Sequence, residues 1–165
     1  SWNRPSAIRY PNLPTQVGED TPLLNREMGK GEVLVKGRDI LILALGHMNG
    51  VAEKAMDLLA QQEIFPTLFD PVFLKPLDEE LLLQLLREHT EIVTIEEHSL
   101  VGGLGSCVRS FLAKVGASSV RTLHLGIPDR FIEHGTYADV LEDVGLTPHK
   151  IAAAIVQWCQ SLEPV

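Results

Sequence analysis

The sequence predicts an α/β fold: a three-layer, mostly parallel open sheet with one antiparallel strand. Three observations carry that expectation. Runs dense in branched apolar residues, such as "DILILAL" and "EIVTIEE", read as strands covered on both faces. Between them lie stretches whose apolar positions recur at helical spacing. Strands alternating with such helices imply parallel pairing through crossover connections. At 165 residues the chain suits one ordinary domain with a single substantial core.

Residues 1–30 stand apart. Pro11, Pro14 and Pro22 interrupt any period, so the stretch reads as an extended arm or linker from a preceding domain, with at most one short strand around Ala7 to Tyr10. The regular domain is expected over 31–165. It opens with "EVLVKGRDILILAL", which reads as a hairpin in which Lys36 to Arg38 turn between a short strand and a longer buried one. That hairpin would place the antiparallel strand at the sheet edge or next to it. From Val51 to Gln62 the apolar residues follow one face of a helix, and Ile64 to Asp70 form the next strand. In "KPLDEELLLQLLREH", Asp78 is the expected N-cap, Glu79 and Glu80 favour the positive end of the helix dipole, and leucines 81, 82, 85 and 86 form the buried stripe. "EIVTIEE" is a strand, "GSCVRSFLAKV" a helix and "VRTLHLG" a strand; two short helices, Tyr137 to Val144 and Pro148 to Ser161, close the chain.

Composition removes several function classes. Hydrophobic residues are 45% and charged residues 22%, and the longest apolar run, "ILILAL", is far too short to span a bilayer. A formal net charge of −8 with scattered Lys and Arg argues against a nucleic-acid partner. Cys107 and Cys159 lie in helical stretches, which suits two buried thiols in a reducing cytoplasm better than a disulfide framework.

In open sheets of this kind ligands sit beyond the carboxyl ends of the strands, here near Gly46, Asp70, Glu96 and Gly126. "LGHMNG" with Asp70 further on imitates a dinucleotide site. Met48, however, occupies the second glycine position, where a side chain blocks approach of the backbone to pyrophosphate, so an ordinary turn is favoured. "EEHSLVGGLGS" sets Gly102, Gly103 and Gly105 ahead of a helix whose N–H groups suit an anion. It lacks the Gly-Lys-Ser/Thr ending of a phosphate loop, and Glu96 and Glu97 would repel phosphate. A metal site of Glu96, Glu97 and His98 is weaker still, because successive strand residues point to opposite faces. The favoured reading is a turn in which glycine permits close helix-to-sheet packing. In "GIPDRFIEHGT", Asp129, Arg130, Glu133 and His134 have acid, base and anion-binding character without a nucleophile beside them, and a loop held by local ion pairs is preferred. No catalytic, cofactor or metal residue is assigned.

Taken together, "GKGEVLVKGRDILILALG", "FDPVFLKPLDEELL", "VTIEEHSLVGGLGSCV" and above all "LGIPDRFIEHGT" with "LEDVGLTPHKIAAAI" resemble the C-terminal domain of the 1-deoxy-D-xylulose-5-phosphate synthases. These form a branch of the thiamine-diphosphate-dependent transketolase superfamily. The resemblance is collinear from about Pro5 to Trp158. It implies an isoprenoid-pathway transferase of three domains, the first two of which hold thiamine diphosphate, Mg and the activating glutamate. The third packs on the pyrimidine-binding domain and the dimer interface, so this part is expected to be structural, without cofactor and inactive alone. The resemblance also implies a phosphate contact in the arm. Arg9 matches the first arginine of the family's Ile-Arg-Tyr-Pro-Arg-Gly, whereas Asn12 stands in place of the second, losing the charged bidentate fork that phosphate favours. Arg9 and Asn12 are therefore the substrate-binding candidates, and the acceptor sugar is open. Other readings are the C-terminal part of a transketolase, a free-standing module for a small anion or nucleotide, and a dimerising scaffold. The proline-rich start favours the enzyme part, since a separate module hardly needs such an arm.

Overall fold

The computed structural model describes residues 26–161, together with Pro5 and Ala7. Arg9, Asn12 and nearly all of the strand expected around Ala7 to Tyr10 lie outside the described residues. Ten elements follow in chain order: β1 (Glu32–Val35), β2 (Leu41–Ala44), α1 (Met48–Ala60), β3 (Thr67–Asp70), α2 (Glu79–Leu85), β4 (Glu91–Ser99), α3 (Leu104–Lys114), β5 (Arg121–Ile127), α4 (Tyr137–Val144) and α5 (Pro148–Gln160). The five strands form one sheet in the order β1-β3-β2-β4-β5, with only β1 antiparallel to its neighbour. The predicted fold class and element sequence are thus present.

The sheet separates two apolar layers. Ile42 and Ala44 of β2 face α1 and α5 through Ala52, Leu59, Ile151 and Ile155. Leu41 and Leu43 of the same strand face α2 and α3 through Leu82, Leu104 and Val108. All four β2 residues are fully buried, which explains a continuous apolar run instead of an alternating one. Crossovers leave the adjacent strands β2 and β4 in opposite directions, α1 leading from β2 to β3 on one face and α3 from β4 to β5 on the other. The crevice between the carboxyl ends of β2 and β4 is therefore the switch point of the sheet.

The expected hairpin is absent. β1 pairs with β3, matching Glu32 to Asp70 and Val33 to Phe69, and lies at the edge. Both flanks of β2 are taken by parallel partners, so residues 36–40 cross the start of β3 instead of reversing tightly. Their polar groups are satisfied there. The amides of Arg38 and Asp39 donate to the Phe65 carbonyl at 2.9 and 3.3 Å, the Asp39 carboxylate accepts from Phe65 N at 2.7 Å, and Gly37 N donates to Thr67 Oγ1 at 3.0 Å. A Cβ on Gly37 would lie 2.2 Å from the Phe65 carbonyl oxygen, so glycine serves close backbone approach at this crossing.

Helix ends follow local chemistry. Asp78 Oδ1 accepts from Leu81 N at 3.0 Å, as its place before α2 predicts, while Asp78 Oδ2 accepts from Gly31 N at 3.1 Å. Thr136 and Asp139 form a reciprocal capping box on α4, which ends at Gly145 in the left-handed conformation (φ 78°). Among the described residues no helix is long and apolar enough to cross a membrane.

Candidate functional site

The carboxyl ends of the parallel strands form one rim of the molecule, and each sequence-derived candidate can be placed on it. Glu96, near the end of β4, is buried beneath the start of α3. Its carboxylate accepts from Leu104 N at 2.6 Å and from Gly105 N at 2.9 Å. Those are free amides of the first helical turn, the groups that hold phosphate in nucleotide-binding turns. The anion seat of "EEHSLVGGLGS" is thus filled from within the chain.

Gly103 is explained by the same carboxylate. A Cβ on Gly103 would fall 1.9 Å from Glu96 Oε2, and one on Gly126 of β5 would lie 3.1 Å from Glu96 Cγ. Gly105 answers to another neighbour: its Cβ would lie 2.6 Å from His124 Nδ1. That ring nitrogen is 2.8 Å from Thr94 Oγ1, and burial, helped by the charge of Arg109, pushes the His124 pKa down. The imidazole is therefore a neutral packing and hydrogen-bonding group at pH 7.

Glu97 points the other way, as strand alternation requires. It meets His47, whose Nε2 is 3.0 Å from Glu97 Oε2 and also contacts the Tyr137 hydroxyl. His47 immediately precedes α1 and Tyr137 opens α4, so the trio closes the switch-point crevice between β2 and β4. Burial and the Glu97 carboxylate push the Tyr137 pKa up to about 12, which keeps the phenol protonated at neutral pH. The trio can hold a shared proton network. It contains no Ser, Thr, Cys or Lys. His98 is exposed and turns back on the Ser99 carbonyl at 3.0 Å, so Glu96, Glu97 and His98 do not converge. Among the described residues no group of three His, Cys, Asp or Glu side chains is placed to hold a metal ion.

The dinucleotide imitation also ends in local contacts. Met48 is fully buried in the core, and Asp70 Oδ1 accepts from Val72 N at 2.8 Å. In "GIPDRFIEHGT", Arg130 pairs with Asp143 of α4 at 2.7 Å. A shallow cavity of about 470 Å³ is lined by Arg130, Phe131, Glu133 and His134 together with Asp139 and Asp143. These residues belong to a loop braced on α4, in line with the ion-pair reading.

Sequence reasoning missed two features. A carboxylate eight residues ahead of a glycine-preceded helix was the available signal for the Glu96 cap. For the trio there was none, because His47, Glu97 and Tyr137 are joined only by strand order.

Fold and rim define the class: a doubly wound α/β domain whose anion seat and switch-point crevice are filled by its own side chains. Residues 29–151 match the family described as transketolase, C-terminal domain, and the chain belongs to that family. It is 41% identical over 160 residues to the 1-deoxy-D-xylulose-5-phosphate synthase of Chlamydia abortus, covering 95% of this chain and 25% of that protein. With the synthase of Chlamydia felis it shares 43% over 159 residues, covering 94% and 24%. The chain therefore spans about a quarter of the length of these curated relatives. Among solved structures, a split-gene transketolase described as an inactive beta4 tetramer superposes with a TM-score of 0.74 at 36% identity, over 81% of this chain and 43% of that one. A transketolase variant from Pichia stipitis, at 22% identity and a TM-score of 0.56 over 78% and 18%, agrees in fold.

Proposed function

We propose that this chain is the C-terminal structural and assembly domain of a thiamine-diphosphate-dependent carboligase of the 1-deoxy-D-xylulose-5-phosphate synthase type. It takes no catalytic part by itself. The observation that carries the reading is the roughly 40% identity to synthases over nearly the whole chain, which spans only a quarter of them. The whole enzyme would transfer a two-carbon unit from a 2-oxoacid to a phosphorylated aldehyde, in the cytoplasm and as a homodimer.

The described residues do not fit thiamine diphosphate. The free amides of α3 are committed to Glu96 and the carboxylate of Asp70 to Val72, so neither offers a diphosphate or ribose-like seat. Cofactor and Mg are assigned to the preceding domains. The same occupancy disfavours a free-standing anion or nucleotide module. A transketolase part is the second reading, supported by the 36% identity to the split-gene transketolase.

In a thermal-unfolding titration, the 165-residue chain is expected to show no saturable rise in Tm with thiamine diphosphate plus magnesium; a saturable rise would overturn the assignment of the cofactor to other domains. Arg9 and Asn12 are proposed to approach the acceptor phosphate. In the full-length enzyme Asn12→Arg should then raise kcat/KM for a phosphorylated aldehyde by about tenfold, the scale of one added charge-assisted contact. An unchanged kcat/KM would remove Asn12 from the acceptor site.

A further inference from the structure

Among the described residues, three large hydrophobic side chains are more than half exposed: Met28 at 58%, Val101 at 68% and Phe131 at 99%. They are far apart in sequence and share one rim. Val101 lies in the turn after β4 and Phe131 in the loop after β5, and these segments are tied by Leu100 N donating to the Ile127 carbonyl at 3.0 Å. Met28 precedes β1, whose first residue Glu32 pairs with Asp70 at the carboxyl end of β3. The opposite rim carries smaller exposures, Phe65 at 40% beneath the Arg38 guanidinium and Val115 at 38%.

Two facts identify what covers this rim. The first is where the arm arrives. Because β1 is antiparallel, the chain enters the domain at the carboxyl rim, fixed there by Arg26 with Glu32, Lys30 with Glu80 at 3.1 Å and Gly31 N with Asp78 at 3.1 Å. Arg26, where the continuous described stretch begins, stands at the rim that bears Phe131. The second is length, since the family's longer members have about three quarters of their chain beyond the part matched here. Moreover, Phe131 stands on a braced loop, between the Arg130–Asp143 pair and the capping box of α4. A held aromatic ringed by polar groups is the usual form of an interface anchor.

We propose that the carboxyl rim, centred on Phe131 and Val101 and bordered by Met28, docks on the body of the longer enzyme, with Phe131 as its anchor. This names the partner-facing surface of the assembly domain and rests on that reading. The test uses a full-length chain in which these 165 residues replace the matched quarter of the Chlamydia felis synthase. It is expected to unfold in one transition and to make 1-deoxy-D-xylulose 5-phosphate. Phe131→Asp combined with Val101→Asp should split the unfolding into two transitions and increase protease cleavage within residues 8–25 by about tenfold or more. Val115→Asp, on the opposite rim, should leave both readouts unchanged.

Both substitutions lie outside the core, and the isolated chain carrying them should keep the wild-type Tm. One unaltered transition with unaltered cleavage in the double variant would overturn the docking surface while leaving the assembly reading intact. An inactive wild-type chimera, unfolding in two transitions, would overturn both. If the isolated chain sediments as a dimer that Phe131→Asp dissociates, the rim belongs to a second copy and the proposal fails.

Discussion

Glu96 shows how one side chain can remove a function that its surroundings suggest. A helix N-terminus behind a glycine turn is an anion site by default, because several amides converge with the positive end of the helix dipole. Here a buried carboxylate takes two of those amides, and glycine at 103 leaves room for it. Hydrogen bonds to a charged group contribute about 1.5–3 kcal/mol each, and truncation also leaves buried donors unpaired. Glu96→Ala is therefore expected to lower unfolding stability by about 2–4 kcal/mol in urea titration, and Glu96→Gln, which keeps one acceptor oxygen, by roughly half as much. Glu97→Gln, on the half-exposed side of the strand, should cost under about 1 kcal/mol. Equal losses for Glu96→Gln and Glu97→Gln would mean that the cap is not the stabilising contact. From sequence, the acidic pair reads as repelling phosphate from one side. The structure gives a stronger reason, since the carboxylate occupies the seat itself.

Elements were legible where their signal is local and obscure where it depends on pairing. Asp78 before "EELLLQLL" predicts both the start of α2 and its cap, because an N-cap bond spans only three residues. The alternating series from β2 to α5 follows from period alone, and each of those elements is present. Pairing is different. "EVLVKGRDILILAL" offers two strands separated by a glycine-containing turn, which is the local form of a hairpin. Competition for the flanks of β2 decides otherwise, and the competitors, Thr67–Asp70 and Glu91–Ser99, lie tens of residues downstream. Strand starts shift for a related reason. Residues 64–66 are apolar like a strand, yet the Phe65 carbonyl is engaged by the crossing amides of Arg38 and Asp39, so pairing begins at Thr67. The His47–Glu97–Tyr137 contact is of the same kind, set by strand order and invisible to spacing.

On the scale of the molecule, the two apolar layers line opposite faces of β2, β3 and β4, and β2 is the strand buried along its whole length. Leu41 and Leu43 belong to the α2–α3 side and Ile42 and Ala44 to the α1–α5 side, all without solvent exposure. β2 is also paired on both flanks, so neither layer can loosen without disturbing the backbone that supports the other. A rim that presents Phe131 to a partner benefits from this arrangement, because docking on a rigid body spends little on ordering it. Cavity formation fixes the scale: Ile42→Ala and Leu43→Ala should each destabilise the chain by about 2–5 kcal/mol. The two side chains lie on opposite faces of the sheet but on consecutive residues of one backbone, so the loss in the double variant should depart from the sum by about 0.5 kcal/mol or more. Each variant should still unfold in one transition, with the denaturant slope of the wild type, since a small single domain melts as a unit. Should Ile42→Ala instead produce an intermediate that keeps the α2–α3 layer while α1 and α5 melt, β2 would not be the coupling strand, and the layers would be separate cooperative units.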